Sequence, residues 1–145
     1  MSKVEDFLTA SEEQEIVNAI LEAEKNTSGE IRVHIEAHTN KDHYERAKEI
    51  FHLLKMDNTK QENGVLIYVA VNDRKFVICG DKGIDAVVPE NFWQSTKNII
   101  QFHFEKGEFK VGLMAGIKKA GEELNSHFPW QSDDTNELSN EISKG

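Results

Sequence analysis

Seven residues carry the chemistry that this sequence offers most directly: Glu30, Asn63, Gly64, Gly80, Asp81, Gly83 and Asp85. Two aspartates and two glycines of the stretch "CGDKGID" crowd the end of an apolar segment, with further carboxylate, amide and glycine groups earlier in the chain. Carboxylate, amide and backbone carbonyl oxygens are hard donors. They suit calcium, which takes six to eight of them, or magnesium, which takes fewer and keeps water. Nothing in this set favours a soft metal. Asp and Gly are also ordinary turn residues, and Gly80 and Gly83 would then simply supply positive φ. Glu30 would in that case pair with a lysine.

Other constellations are weaker. "HIEAH" puts His34, Glu36 and His38 on one face of a strand, formally enough for zinc. Same-face neighbours on a strand are about 6.6 Å apart, so only adjacent pairs reach one ion. The alternative is a polar strand face lying under a helix or in water. "GDKGID" lacks the Gly-Lys-Ser/Thr ending of a phosphate-cradling loop. Cys79, inside an apolar strand, reads as a small buried hydrophobe rather than a nucleophile. Thr39, Asn72 and Asp73 mark the rim where open parallel sheets usually bind ligands, although Asn72 and Asp73 are also good hairpin residues.

The elements that must position these residues follow from periodicity. "TASEEQEIVNAILEAEKN" has helical spacing through Ile16, Ala19, Ile20 and Ala23, with Ser11 and Gln14 as a capping box. "EIRVHIEAHT" alternates, with Ile31, Val33, Ile35 and Ala37 on one face and Arg32, His34, Glu36 and His38 on the other. A helix through Tyr44, Ala47, Phe51 and Leu54 follows, then a loop "DNTKQEN", a continuous apolar strand "VLIYVAV", a turn "NDR" and a strand "KFVICG". Two helices close the core, one through Trp93, Ile100 and Phe104 and one through Leu113, Ile117, Ala120, Leu124 and Phe128. Gly112, Gly116 and Gly121 weaken the last helix by ~1 kcal/mol each relative to alanine, which a close approach of another element would justify.

The first crossover makes strands one and two parallel, and the tight turn makes strands two and three antiparallel. The expectation is therefore a three-layer α/β/α sandwich with a small mixed sheet. Strands one and two start at one rim and strand three ends there. Glu30, Asn63, Gly64, Gly80 and Asp81, with the loop and Asp85, should share that rim.

The 145 residues suit one domain, taken as 1–130, with 131–145 as a polar acidic tail expected to be partly disordered and to supply no essential cation ligand. The formal charge of −9 disfavours nucleic acid and anionic membranes and is compatible with cations. One cysteine excludes an internal disulfide and a cysteine-rich zinc site. No signal peptide or transmembrane segment is read from the sequence, so a soluble cytoplasmic protein is expected.

"TSGEIRVHIE", "NGVLIYVA", "DRKFVICGDKGID", "FW" and "HFP…DDTNELSN" together resemble the TPM domain, over roughly Phe7 to Ile142. The resemblance implies an α/β/α sandwich, divalent-cation binding with calcium prominent, and a phosphatase activity ascribed to the plant branch. Members anchored to membranes carry flanking segments, so this chain resembles a stand-alone soluble version. By motif, Glu30 matches the "SGE" glutamate, Asn63 and Gly64 the "NG" pair, and Asp81 and Gly83 the "GD-x-G" turn. Glu62 departs from the basic residue often found before "NG", removing a phosphate-binding charge. The plant branch itself departs from the "GD" turn, which weakens the transfer of its activity. Two functions stand. One is a calcium- or magnesium-binding module that serves a protein partner without catalysis of its own. The other is a metal-dependent acid phosphatase acting on phosphate monoesters.

Overall fold

A computed structural model describes residues 7–130 and 138–145. Its first helix, α1 (Ala10–Glu24), starts two residues earlier than expected. Thr9, not Ser11, is the cap. Its hydroxyl accepts from the Glu12 amide at 3.1 Å, and Glu12 accepts from the Thr9 amide at 3.0 Å. Thr9 can take the extended backbone that this reciprocal pair requires, and Ser11 then falls inside the first turn.

Strand β1 (Glu30–Glu36) leads through α2 (His43–Leu53) and a 3₁₀ turn (Met56–Asn58) to β2 (Gly64–Ala70). A hairpin returns the chain as β3 (Lys75–Gly80). A single helical turn, α3 (Lys82–Asp85), precedes α4 (Gln94–Phe104) and α5 (Phe109–Asn125). The sheet order is β3-β2-β1-β4, with β1 parallel to β2 and β2 antiparallel to β3 as expected. The fourth strand, β4 (Ser143–Lys144), was not expected. It pairs in parallel with β1, His34 opposite Ser143 and Ile35 opposite Lys144. Residues 138–145 thus fold onto the sheet, whereas Asp133, Asp134 and Glu137 lie outside the described residues.

Two apolar cores flank the sheet. Ile31, Val33, Ile35, Val65, Ile67 and Ile78 meet α1, α4 and α5 on one face. Leu66, Tyr68 and Cys79 meet Ala47, Ile50 and Phe51 of α2 on the other. This is the α/β/α sandwich. The strand β2 is buried on both faces, which explains its unbroken apolar run. On α5, a β-carbon at Gly116 would lie 2.5 Å from Ile100, and one at Gly121 would lie 3.0 Å from Ala23. Glycine there lets α4 and α1 pack close to α5, offsetting its low helix propensity.

The expected polar face of β1 is not solvated. His34 and Glu36 are buried beneath α2 and the C-terminal strand. Such burial demands partners for the polar groups, and Arg46 of α2, Tyr68 of β2 and Ser143 of β4 supply them.

Candidate cation-binding rim

The register places the expected residues at one end of the sheet. Glu30 lies opposite Gly64, and Val65 lies opposite Gly80. The Asp81 amide continues the ladder by donating to the Gly64 carbonyl at 2.9 Å, and the Glu30 amide donates to the Asn63 carbonyl at 3.3 Å. Glu30, Gly64 and Asp81 therefore form a row across three strands on the α2 face.

The row is nonetheless divided. Glu30 and Asp81 are two strand spacings apart, about 10 Å between backbones. Gly64 adds no side chain between them. The space above it is taken by the Met56 carbonyl, 3.2 Å from where a β-carbon would sit, and by Leu138. On one side, Glu30 is 5% exposed and accepts from the Leu138 amide at 2.9 Å. Its neighbour Glu24 accepts from the Ile31 amide at 2.9 Å and the Asn140 side chain at 3.1 Å. Burial pushes the Glu24 carboxyl up to about 7. The hydrogen bonds oppose that rise, and the Glu30 charge adds to it.

On the other side, Asp81 is 7% exposed. It caps α3, with Oδ1 accepting from the Lys82 amide at 2.7 Å. Its Oδ2 is buried with no hydrogen-bond partner. Burial raises the Asp81 pKa, the cap bond counteracts this, and Asp57 and Asp85 raise it further. Burial also raises that of Asp85. Asp57 is itself in contact with His52, at 2.6 Å. Strand direction brings the loop that begins at Asp57 to this rim, as expected, but nothing in the sequence singled out Asp57 as the loop residue whose charge acts on Asp81.

The supporting residues have clear structural roles. Asn63 is buried, donating from its amide to the Ser28 hydroxyl at 3.3 Å, which braces the start of β2 against the turn before β1. Neither Gly80 nor Gly83 has positive φ; that expectation is corrected. Gly83 is needed for space, since a β-carbon would lie 2.4 Å from the Gln61 carbonyl and 2.5 Å from that of Glu62. The Gly83 amide donates to the Glu62 carbonyl at 2.9 Å. At Gly80 the nearest atom to a β-carbon is Trp93 Nε1 at 3.5 Å, an ordinary contact.

Among the described residues, no three His, Cys, Asp or Glu side chains group closely enough to hold a metal ion. A cation at Asp81 would therefore draw on carbonyl oxygens, amide oxygens and water beside the carboxylate. Calcium and magnesium accept such a shell and zinc does not. The orphaned Oδ2 fits this donor set.

The rival motifs resolve differently. His34 and Glu36 belong to a closed network. Arg46 Nε and Nη2 donate to Glu36 at 2.9 and 3.0 Å, Tyr68 donates its hydroxyl to Glu36, and His34 Nε2 lies 3.0 Å from it. Ser143 Oγ lies 2.9 Å from His34 Nδ1. Burial alone would raise the Glu36 pKa, but the bonds from Arg46, Tyr68 and His34 prevail and take it to about 2. Burial lowers the pKa of His34. An ionised Glu36 only accepts, so Nε2 carries the histidine proton and Nδ1 accepts from Ser143. His38 points away, to Asp73. Burial pushes the Cys79 thiol up to about 11, which leaves it inert as a nucleophile.

The model of the TPM domain matches residues 1–123. Among curated proteins nothing matches. The solved structure of BA42 from the psychrophilic bacterium Bizionia argentinensis is 61% identical, covers 100% of both chains and superposes with a TM-score of 0.93. The N-terminal domain of a P. gingivalis protein is 18% identical over 84% of this chain and 79% of its own, with a TM-score of 0.68. One from Corynebacterium glutamicum is 13% identical over 91% and 84%, with a TM-score of 0.66. These last two share the fold alone. No helix among the described residues is long and apolar enough to cross a membrane. With the family model covering most of the chain and a close relative covering all of it, the protein belongs to the TPM domain family.

Proposed function

We propose that this protein is a divalent-cation-binding module, using calcium or magnesium, that acts in the cytoplasm as an accessory to a protein partner and catalyses no reaction itself. The observation that carries the reading is Asp81 Oδ2, an acidic oxygen buried at the sheet rim without a partner. Leaving such an atom unsatisfied costs roughly 1–3 kcal/mol, so its retention calls for a role. Asp57 and Asp85 add negative potential there, which a cation would relieve. Asp81 is the principal ligand, with Asp85 beside it. Glu30 and Asn63 shape the rim from the next strands.

The other reading, a metal-dependent phosphatase, lacks the cationic surroundings that phosphoryl transfer needs. Lys82, the basic residue inside the turn, is drawn to Glu62 at 2.9 Å. A calcium titration followed by amide NMR tests the binding reading, with saturable shifts expected at residues 57–64 and 80–86. Assay of the same sample with p-nitrophenyl phosphate should show no turnover above a mock preparation. Turnover abolished by Asp81→Asn would favour the phosphatase.

A further inference from the structure

At the rim opposite Asp81, the β2–β3 hairpin and the α4–α5 junction enclose a cavity of about 690 Å³. Its wall is a cluster of phenylalanines. The rings of Phe7 and Phe109 lie 4.5 Å apart, and Phe104 lies 5.4 Å from both Phe76 and Phe109. All four are only partly buried, so each leaves apolar surface facing the cavity. The volume falls within the range that holds small organic ligands, roughly 300–1,000 Å³.

Two cations, Arg74 and Lys75, also line this cavity. Elsewhere in this acidic protein, lysine and arginine are commonly drawn to carboxylates, as in Arg46 with Glu36, Lys82 with Glu62 and Lys144 with Glu13. Among the described residues, Arg74 and Lys75 make no ion pair. The adjacent Asp73 does not serve them, because its carboxylate accepts from His38, His43 and the Thr39 amide. Glu105 is the acidic residue of the lining, and it accepts from Gln101 at 2.9 Å. Arg74 also holds the left-handed position of the hairpin, at φ 54°, where glycine or asparagine would be less strained.

We infer that this cavity binds a single small carboxylate with an apolar body, of the medium-chain fatty acid class, its chain against the phenylalanine wall and its carboxylate on Arg74 and Lys75. The guanidinium fork matches a carboxylate in a two-bond geometry. An anionic membrane is the wrong partner, because it would meet the field of the whole protein, at −9, rather than these two cations alone.

The test is an amide NMR titration with monomeric decanoate. For a ligand of that size, saturable shifts with a Kd of roughly 0.1 mM are expected, confined to Val71–Phe76 and Gln101–Phe109. The surface double variant R74E/K75E should keep the melting temperature and spectral dispersion, weaken decanoate at least about tenfold, and leave binding of uncharged decanol within about twofold. Non-saturable or scattered shifts would overturn the inference. So would equal loss of decanol and decanoate binding, or binding to phosphatidylglycerol vesicles without binding to free decanoate.

Discussion

Glu36 and Asp81 lie on the same face of the same sheet, and both are buried, at 4% and 7% exposure. Their surroundings are opposite. Glu36 is met by a guanidinium, a phenol and an imidazole, and its pKa falls to about 2. Asp81 is met by one backbone amide and by the fields of two other aspartates, and its pKa rises. One carboxylate has its countercharge built into the fold, while the other has none. The lesson is that burial alone says little about a carboxylate's role, and that the missing partner is the informative feature.

The largest expected effect breaks the compensated end. Arg46→Ala leaves Glu36 buried without its cation and should cost about 3–5 kcal/mol at pH 7, read by urea unfolding. The loss should shrink at pH 4, where the stranded carboxylate takes up a proton. A loss below about 1 kcal/mol at pH 7 would mean that the network carries little of the stability.

Next comes the uncompensated end. Glu24 has a folded pKa of about 7, above its ordinary value of 4.5. The native state therefore binds more protons than the unfolded chain between these values. The contribution of Glu24 to stability is complete below pH 4.5 and is lost as pH rises through 7, by on the order of 2–3 kcal/mol. Glu36 has the reverse sign, its contribution present above pH 4.5 and lost toward pH 2. Urea unfolding from pH 5 to pH 8 with chelator present should show a fall that Glu24→Gln flattens. An unchanged slope in the variant would assign the fall to another group.

How much of this contrast was legible in the sequence depended on the kind of contact involved. Alternation, the two-residue step of strands and the hairpin "NDR" were enough to bring Glu30, Gly64 and Asp81 to one rim, because strand direction and register are backbone properties. The division of that row was not legible. It depends on Met56 and Leu138 reaching over Gly64, one from the short 3₁₀ turn after α2 and one from beyond the last helix. The burial of His34 and Glu36 was hidden for the same reason. Their cover comes from Arg46 and from Ser143, 109 residues distant from His34. Polarity read along β1 therefore left a face under a helix or in water, and the fold takes the first, as a paired interior.

A smaller effect separates two glycines in one turn. Gly83→Ala forces the carbonyls of Gln61 and Glu62 away and should cost ~1–3 kcal/mol in thermal unfolding. It should also weaken calcium binding by moving the loop that carries Asp57. Gly80→Ala meets only ordinary contacts and should change stability by less than ~1 kcal/mol. If the two variants behave alike, the close packing of the loop on α3 is not what glycine serves there.

The smallest effect returns to the far network. Ser143→Ala removes the hydroxyl beside His34 and should cost about 1 kcal/mol, with no change in calcium affinity. A change in calcium response would show that the two ends of the sheet are coupled through the C-terminal strand.

The central claim, that Asp81 waits for a cation, is tested most directly by thermal unfolding of wild type and Asp81→Asn across a calcium titration. Without metal, Asp81→Asn should melt at or slightly above the wild-type temperature, because it removes a buried charge that nothing in the fold neutralises. With calcium at 100 times its Kd, the wild type should gain about 2.7 kcal/mol through linkage, and the variant much less. An equal gain in both proteins, or no response in either up to millimolar calcium, would reduce "CGDKGID" to a helix-capping turn.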